Sequence, residues 1–374
     1  MKFFNRGKNM STTAEQLPEA LRTALSDVVD PNTNRKLGPV LKDSTLQREG
    51  QRINLTLALG YPLHNGHPEL QQRIETVLKQ QGLELGRLDF AVKVATHAVQ
   101  RGLKPLPNVR NIIAVASGKG GVGKSTTAVN LALALRAQGA SVGLLDADIY
   151  GPSVPIMLGL TGKPKSLDGK TMEPMEAHGL QANSIGFLID EDAPAIWRGP
   201  MVSQALEQLL RQTNWRDLDY LIVDMPPGTG DIALTLSQKV PVAGAVIVTT
   251  PQDLALADAR KGLRMFQKVE VPVLGVVENM SIHICSQCGH AEPIFGEHGG
   301  RDMAAEFNLP WLGSLPLAIE IRTQTDSGSP SVVAEPEGKV AALYKEIAWK
   351  VAVQVAALPR DMSAKMPTVV ARSN

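Results

Sequence analysis

The 374-residue chain carries 38 Lys and Arg against 37 Asp and Glu, a formal net charge of +1. That balance argues against a general nucleic-acid or anionic-membrane surface, and no apolar run reaches the roughly 18 residues a spanning helix needs. Two cysteines exclude a disulfide framework and fit a reducing, cytoplasmic setting, while the length allows two or three domains.

Residues 1–10 hold basic residues but no apolar core, so they read as a tail and not as a secretory signal. Residues 11–98 read as a small α+β domain. Pro18–Val29 is expected as a helix and Asp30–Asn34 as a turn. Val40–Leu46 and Arg52–Leu59 read as a hairpin around Arg48–Gln51. In its second strand Ile53, Leu55, Leu57 and Leu59 alternate with Asn54, Thr56 and Ala58, which buries one face. Leu70, Ile74, Val77 and Leu78 share a helical face, and Leu88–Ala95 closes the domain as a strand. His64 and His67 read as surface loop histidines, with no third metal ligand nearby. Residues 99–110, proline-containing, basic and without helical period, read as a linker.

Residues 111–358 alternate strand and helix, as in an α/β domain whose mostly parallel sheet is covered by helices on both faces. Asn111–Ser117 is a buried strand leading into Gly118-Lys119-Gly120-Gly121-Val122-Gly123-Lys124-Ser125-Thr126, a phosphate loop (P-loop). Glycines let backbone N–H groups converge on a polyphosphate, and the following helix points its positive end there. Lys124 would reach the β- and γ-phosphates and Ser125 would ligate Mg²⁺, so ATP and magnesium are the expected ligands. Gly139 ends that helix.

Ser141–Asp148 is the next strand, and Asp148 is expected to position the attacking water. Tyr220–Asp224 is another buried strand, followed by Met-Pro-Pro-Gly-Thr-Gly-Asp231, and puts Asp224 on the magnesium side. Either acid alone could be a helix cap. Ala243–Thr250, Val271–Val277 and Trp311–Leu315 read as strands, and Gln252–Phe266 as a helix. Ala341–Leu358 reads as a packed final helix, since Lys345, Glu346 and Lys350 make no basic membrane face. Residues 359–374 read as a disordered tail.

A second lysine, Lys119, early in the loop resembles the deviant-Walker-A ATPases such as MinD, ParA and the nitrogenase iron protein. Within that group Asp148–Ser153, Asp224–Asp231, Glu278-Asn-Met-Ser281 and Cys285-x-x-Cys288 resemble the Mrp/ApbC family of iron–sulfur cluster carriers, over about residues 111–355. The small domain resembles a metal–sulfur assembly domain often fused to such ATPases. The cysteine common there is missing from Gly60–His67, so docking a partner is its expected role. The resemblance implies a sandwich homodimer with two ATPs near its interface. Lys119 would cross to the partner's nucleotide, Asn279 would contact adenine, and hydrolysis would switch the dimer state. Cluster donors and apo iron–sulfur proteins are the implied partners, with neither nucleic acid nor membrane.

Cys285 and Cys288 supply two of the four thiolates a [4Fe–4S] cluster takes, and a two-fold dimer doubles them. His283 and His290 flank the pair, so a Cys₂His₂ zinc site within one chain competes, although ligands this crowded strain to reach a tetrahedron. A thiol–disulfide pair is disfavoured by Gly289, and an idle pair is the bland alternative. Spacing leaves cluster and zinc open; the resemblance favours the cluster. The leading reading is an ATP-dependent cluster carrier. A MinD- or ParA-like positioning ATPase would need a basic terminal helix or patch, and an electron-transfer ATPase like the nitrogenase iron protein is the second rival.

Overall fold

The computed structural model describes residues 11–13, 18–62, 67–149, 151–188, 199–285 and 287–361. The expected tail at 1–10, the stretch of the second tail from 362 on, His64 and Tyr150 lie outside them. The chain divides into two compact units, residues 1–94 and 95–374.

In the small unit the strands Ser11–Thr13, Thr45–Glu49, Arg52–Leu59 and Glu84–Val92 form one sheet in that order. The first two pairings are antiparallel and the last is parallel. Helices Glu19–Asp27 and Pro68–Gln80 bury Leu21, Leu25, Leu70, Ile74 and Leu78. The strand expected at Val40–Leu46 is in fact a short helix, Gly38–Leu41, with the sheet strand starting at Thr45. Pro39 sits in its first turn, where a fixed φ and a missing N–H cost nothing. The last strand starts at Glu84, four residues before the expected one, because its half-exposed residues blur the alternation.

His67, expected on the surface, is buried. Its ring packs edge-on against Tyr61 and Phe90, and its Nδ1 lies 3.1 Å from the Asn32 amide nitrogen. The Tyr61 hydroxyl donates to Asp30 Oδ2 and accepts from the same Asn32 nitrogen. A neutral Nδ1 acceptor fits that donor, and burial lowers the His67 pKa.

The large unit is built on an eight-stranded sheet. Its order is Trp311–Ser314, Val273–Glu278, Val242–Thr249, Val109–Ala116, Leu218–Asp224, Val142–Asp146, Leu180–Ser184 and Met175–Ala177. All pairings are parallel except the last. Ile112, Ala114 and Ala116 join one core with the helices Gly199–Gln212, Asp231–Lys239 and Asp253–Lys268. Ile113 and Val115, alternating with them, point to the other face, where helices Lys124–Ala137 and Lys339–Ala356 pack together. Each buried Leu or Val here is worth about 1.5–3 kcal/mol. No helix among the described residues is long and apolar enough to cross a membrane.

The edge strand Met175–Ala177, its neighbour Leu180–Ser184 and the helix Gly199–Gln212 carry no clear sequence signal, being short or broken by polar residues. Residues 95–110 are no free tether. Thr96 and Ala98 pair with Asp361 and Pro359, which were expected in the disordered tail. The buried Gln100 donates to the carbonyls of Ser237 and Val240 and accepts from the Val242 N–H. Gln100→Ala strands the Ser237 carbonyl, while the Val242 N–H and the Val240 carbonyl keep their own hydrogen bond, and should cost about 1–2 kcal/mol in urea unfolding. A loss within error of zero would show that water replaces those bonds.

Candidate functional site

Parallel sheets gather ligands at the carboxyl ends of their strands. Here the strand Val109–Ala116 feeds the P-loop from the middle of the sheet, between Leu218–Asp224 and Val242–Thr249. Asp224 is in register with Val115 on one side and with Asp146 on the other, so two acids end adjacent strands at the same level. The helix Lys124–Ala137 starts above them with Gly123 as its cap, in a left-handed conformation at φ 80°.

The result is an open cleft of about 220 Å³ whose lining includes Lys119, Gly121, Lys124, Ser125, Thr126 and Asp148. Gly118 approaches the helix Asp253–Lys268 so closely that a Cβ would lie 2.1 Å from the Asp258 carbonyl carbon. A Cβ on Gly123 would lie 2.1 Å from the Asn279 amide nitrogen. Both positions need glycine for approach, not merely for flexibility.

Charge is concentrated at the floor. Lys124 Nζ donates to Asp224 Oδ1 at 2.5 Å and to Ser125 Oγ at 3.2 Å, and lies 3.7 Å from Asp148 Oδ2. Lys124 is 6% exposed and the Asp224 side chain not at all. Burial raises the Asp224 pKa, and the Lys124 charge and hydrogen bond oppose it. Asp224 Oδ2 has no hydrogen-bond partner. A buried carboxylate oxygen left open beside a serine hydroxyl, under a glycine cradle, fits a phosphate with a hard cation such as magnesium.

Asp146 was not singled out from the sequence, where it reads as one of two acids in Leu-Asp-Ala-Asp148. Its Oδ1 accepts from the Asp148 N–H, and its Oδ2 accepts from the Val154 N–H and the Ser184 hydroxyl. Both ends of the loop carrying Asp148 thus hang on one carboxyl. Burial, then the Asp224 charge, pushes the Asp146 pKa up to about 7 against those three hydrogen bonds.

Asn279 ends the strand Val273–Glu278 and is buried against the P-loop, where its amide donates to the Val122 carbonyl at 2.9 Å. The cysteines lie elsewhere. The strands His283–Ile284 and Ala291–Glu292 make a small hairpin, and Cys285 N–H donates to the His290 carbonyl. Cys285 is partly exposed and Cys288 exposed, both as free thiols. Hydrogen bonds from the N–H groups of Cys288 and Gln287 lower the Cys285 pKa. Among the described residues no three His, Cys, Asp or Glu side chains form a metal-sized cluster, so the Cys₂His₂ arrangement is not assembled in one chain. Ile282, Ile284 and Ile294, close to the pair in sequence, are exposed.

A family model described as ParA, NUBPL iron-transfer P-loop NTPase, matches residues 108–352. An iron-sulfur cluster carrier protein of Pseudomonas fragi is 60% identical over 269 residues, 71% of this chain and 94% of its own. One of Escherichia coli (strain K12) is 48% identical over 344 residues, 90% of this chain and 93% of its own. A nucleotide-binding protein from Archaeoglobus fulgidus, solved in complex with ADP, superimposes with a TM-score of 0.54 at 37% identity. It covers 62% of this chain and 90% of its own.

The buried acids make a pH prediction. Between about pH 4 and 7 folded Asp146 keeps a proton that the unfolded chain releases, so stability falls as pH rises through that window. Asp146→Asn removes the titration. Wild-type stability relative to the variant should decline with pH by at most about 1.4 kcal/mol per unit, read from urea unfolding. Parallel profiles across that window would mean that Asp146 is ionised in the fold.

Proposed function

The chain belongs to the NUBPL iron-transfer P-loop NTPase family, and from that premise we propose an ATP-dependent iron–sulfur cluster carrier. Two copies hold one [4Fe–4S] cluster between them, and ATP hydrolysis switches the pair between holding and releasing states. The cluster is cargo, received from donor proteins and passed to apo iron–sulfur proteins. Free thiols suit a reducing compartment such as the cytoplasm. The observation that carries this reading is the exposed Cys285–Cys288 hairpin, with two thiols per chain and no further ligand cluster among the described residues.

In the nucleotide site the N–H groups of residues 118–126 and the Lys124 ammonium hold the phosphates. Lys124 leaving Asp224 for a phosphate oxygen strips a buried carboxylate of its counter-charge. Magnesium, held by the Ser125 hydroxyl and the Asp224 side, would restore that balance and neutralise phosphate charge. Asp148, held by Asp146, orients the attacking water. Lys119 reaches the partner chain's phosphates when the dimer closes, so the charge developing in the transition state is met only in the closed state. Asn279 stands beside the loop, where its amide edge can read adenine.

Lys124→Ala should abolish ATP binding. Lys119→Ala should keep binding, measured by equilibrium titration, and lose about 100-fold or more in turnover. Full turnover in Lys119→Ala would remove the trans lysine and leave the nucleotide assignment intact.

Cys285→Ala and Cys288→Ala should each lose iron and acid-labile sulfide after anaerobic reconstitution while ATP binding survives. Iron and sulfide retained in the double variant would contradict the carrier site.

A further inference from the structure

The P-loop and the cysteine hairpin are separate sites, yet one short stretch of backbone touches both. Asn279 donates to the Val122 carbonyl and lies against Gly123. Met280 places its Cε 3.9 Å from where a Gly123 Cβ would be. Five residues after Met280 comes Cys285.

The backbone of Met280 is unusual. Among the described residues, eight non-glycine residues have positive φ, and six of them are Asn, Asp or His, which tolerate that region. Glu270, the seventh, closes the end of the helix Asp253–Lys268, where a left-handed residue is ordinary. Met280, at φ 56°, has neither excuse. Strain of this kind persists only where the surroundings hold it, and it marks places that can switch.

The surroundings hold it from both sides. Before it, the Asn279 N–H donates to the Thr249 carbonyl, and the Leu315 N–H to the Glu278 carbonyl. After it, Ser281 donates its N–H and its hydroxyl to the Leu315 carbonyl. The Leu317 N–H then donates to the Ile282 carbonyl, which sets the root of the hairpin. A shift of the Val122–Gly123 backbone therefore has a direct route into the hairpin, with one strained residue in the middle.

We infer that Asn279 and Met280 couple the nucleotide state of the P-loop to the conformation of the cysteine pair. Asn279 senses the loop through the Val122 carbonyl, and Met280 is the hinge that transmits its movement to Ile282–Cys285. This rests on reading the loop as the nucleotide site and the thiols as the cluster site, but it needs no cluster for its test.

The experiment uses the full, reduced, metal-free chain. Alkylation of Cys285 and Cys288 by iodoacetamide is followed by mass spectrometry with and without saturating Mg–ADP, at one oligomeric state checked by light scattering. In the wild type, nucleotide should change the alkylation rate about fivefold or more, the lower end of ordinary allosteric coupling. Met280→Gly accepts the left-handed backbone without strain and so should fold and bind ADP, yet its rate ratio should fall to near one. A merely structural role would change the melting temperature of this variant and leave the ratio at its wild-type value. That result in Met280→Gly, or a wild-type ratio of one with ADP bound, overturns the coupling. Iron and sulfide are measured separately, so a wild type that binds no cluster but keeps its ratio would fail the carrier reading and support the coupling.

Discussion

The Lys124–Asp224 pair fixes the rest of the nucleotide site. Both groups are buried, so neither can fall back on water, and each is tolerable only because the other is within hydrogen-bond reach. The pair exists because a strand ending in an acid lies in register beside the strand that feeds the loop. Asp146, in register on the next strand, adds a carboxyl that one lysine cannot also neutralise, and it is held instead by three hydrogen bonds. The cleft floor is thus short of positive charge. That shortage makes a bare phosphate costly and favours one that arrives with a hard cation.

Much of this was legible in the sequence, for definite reasons. The P-loop is written in glycines whose places are set by approach distances, and Asp224 is announced by four apolar residues before it. Asp146 was legible only as one of two acids, because nothing in Leu-Asp-Ala-Asp says which carboxyl faces the cleft and which holds the loop. That distinction is made by Ser184, on a strand too short to read. His67 looked like a loop residue because its burial depends on Tyr61 and Phe90, distant in pattern though near in space. The stretch before the P-loop strand reads as a linker from its prolines, while Gln100 and the buried Leu106 tie it into the large unit.

The cysteine pair shows the limit most clearly. Spacing allowed zinc or a shared cluster, and the hairpin presents both thiols outward without gathering His283 or His290 around them. Two exposed thiols with no third ligand beside them among the described residues suit the proposed cluster shared between two chains. The segment before the pair is packed on the P-loop through Asn279.

The claim that two chains complete one cluster is tested most directly by native mass spectrometry of the anaerobically reconstituted protein. The account predicts a dimer carrying one [4Fe–4S] cluster, reverting to cluster-free chains in the Cys285→Ala, Cys288→Ala double variant. A single chain holding a whole cluster, or stoichiometric zinc without sulfide, would contradict it.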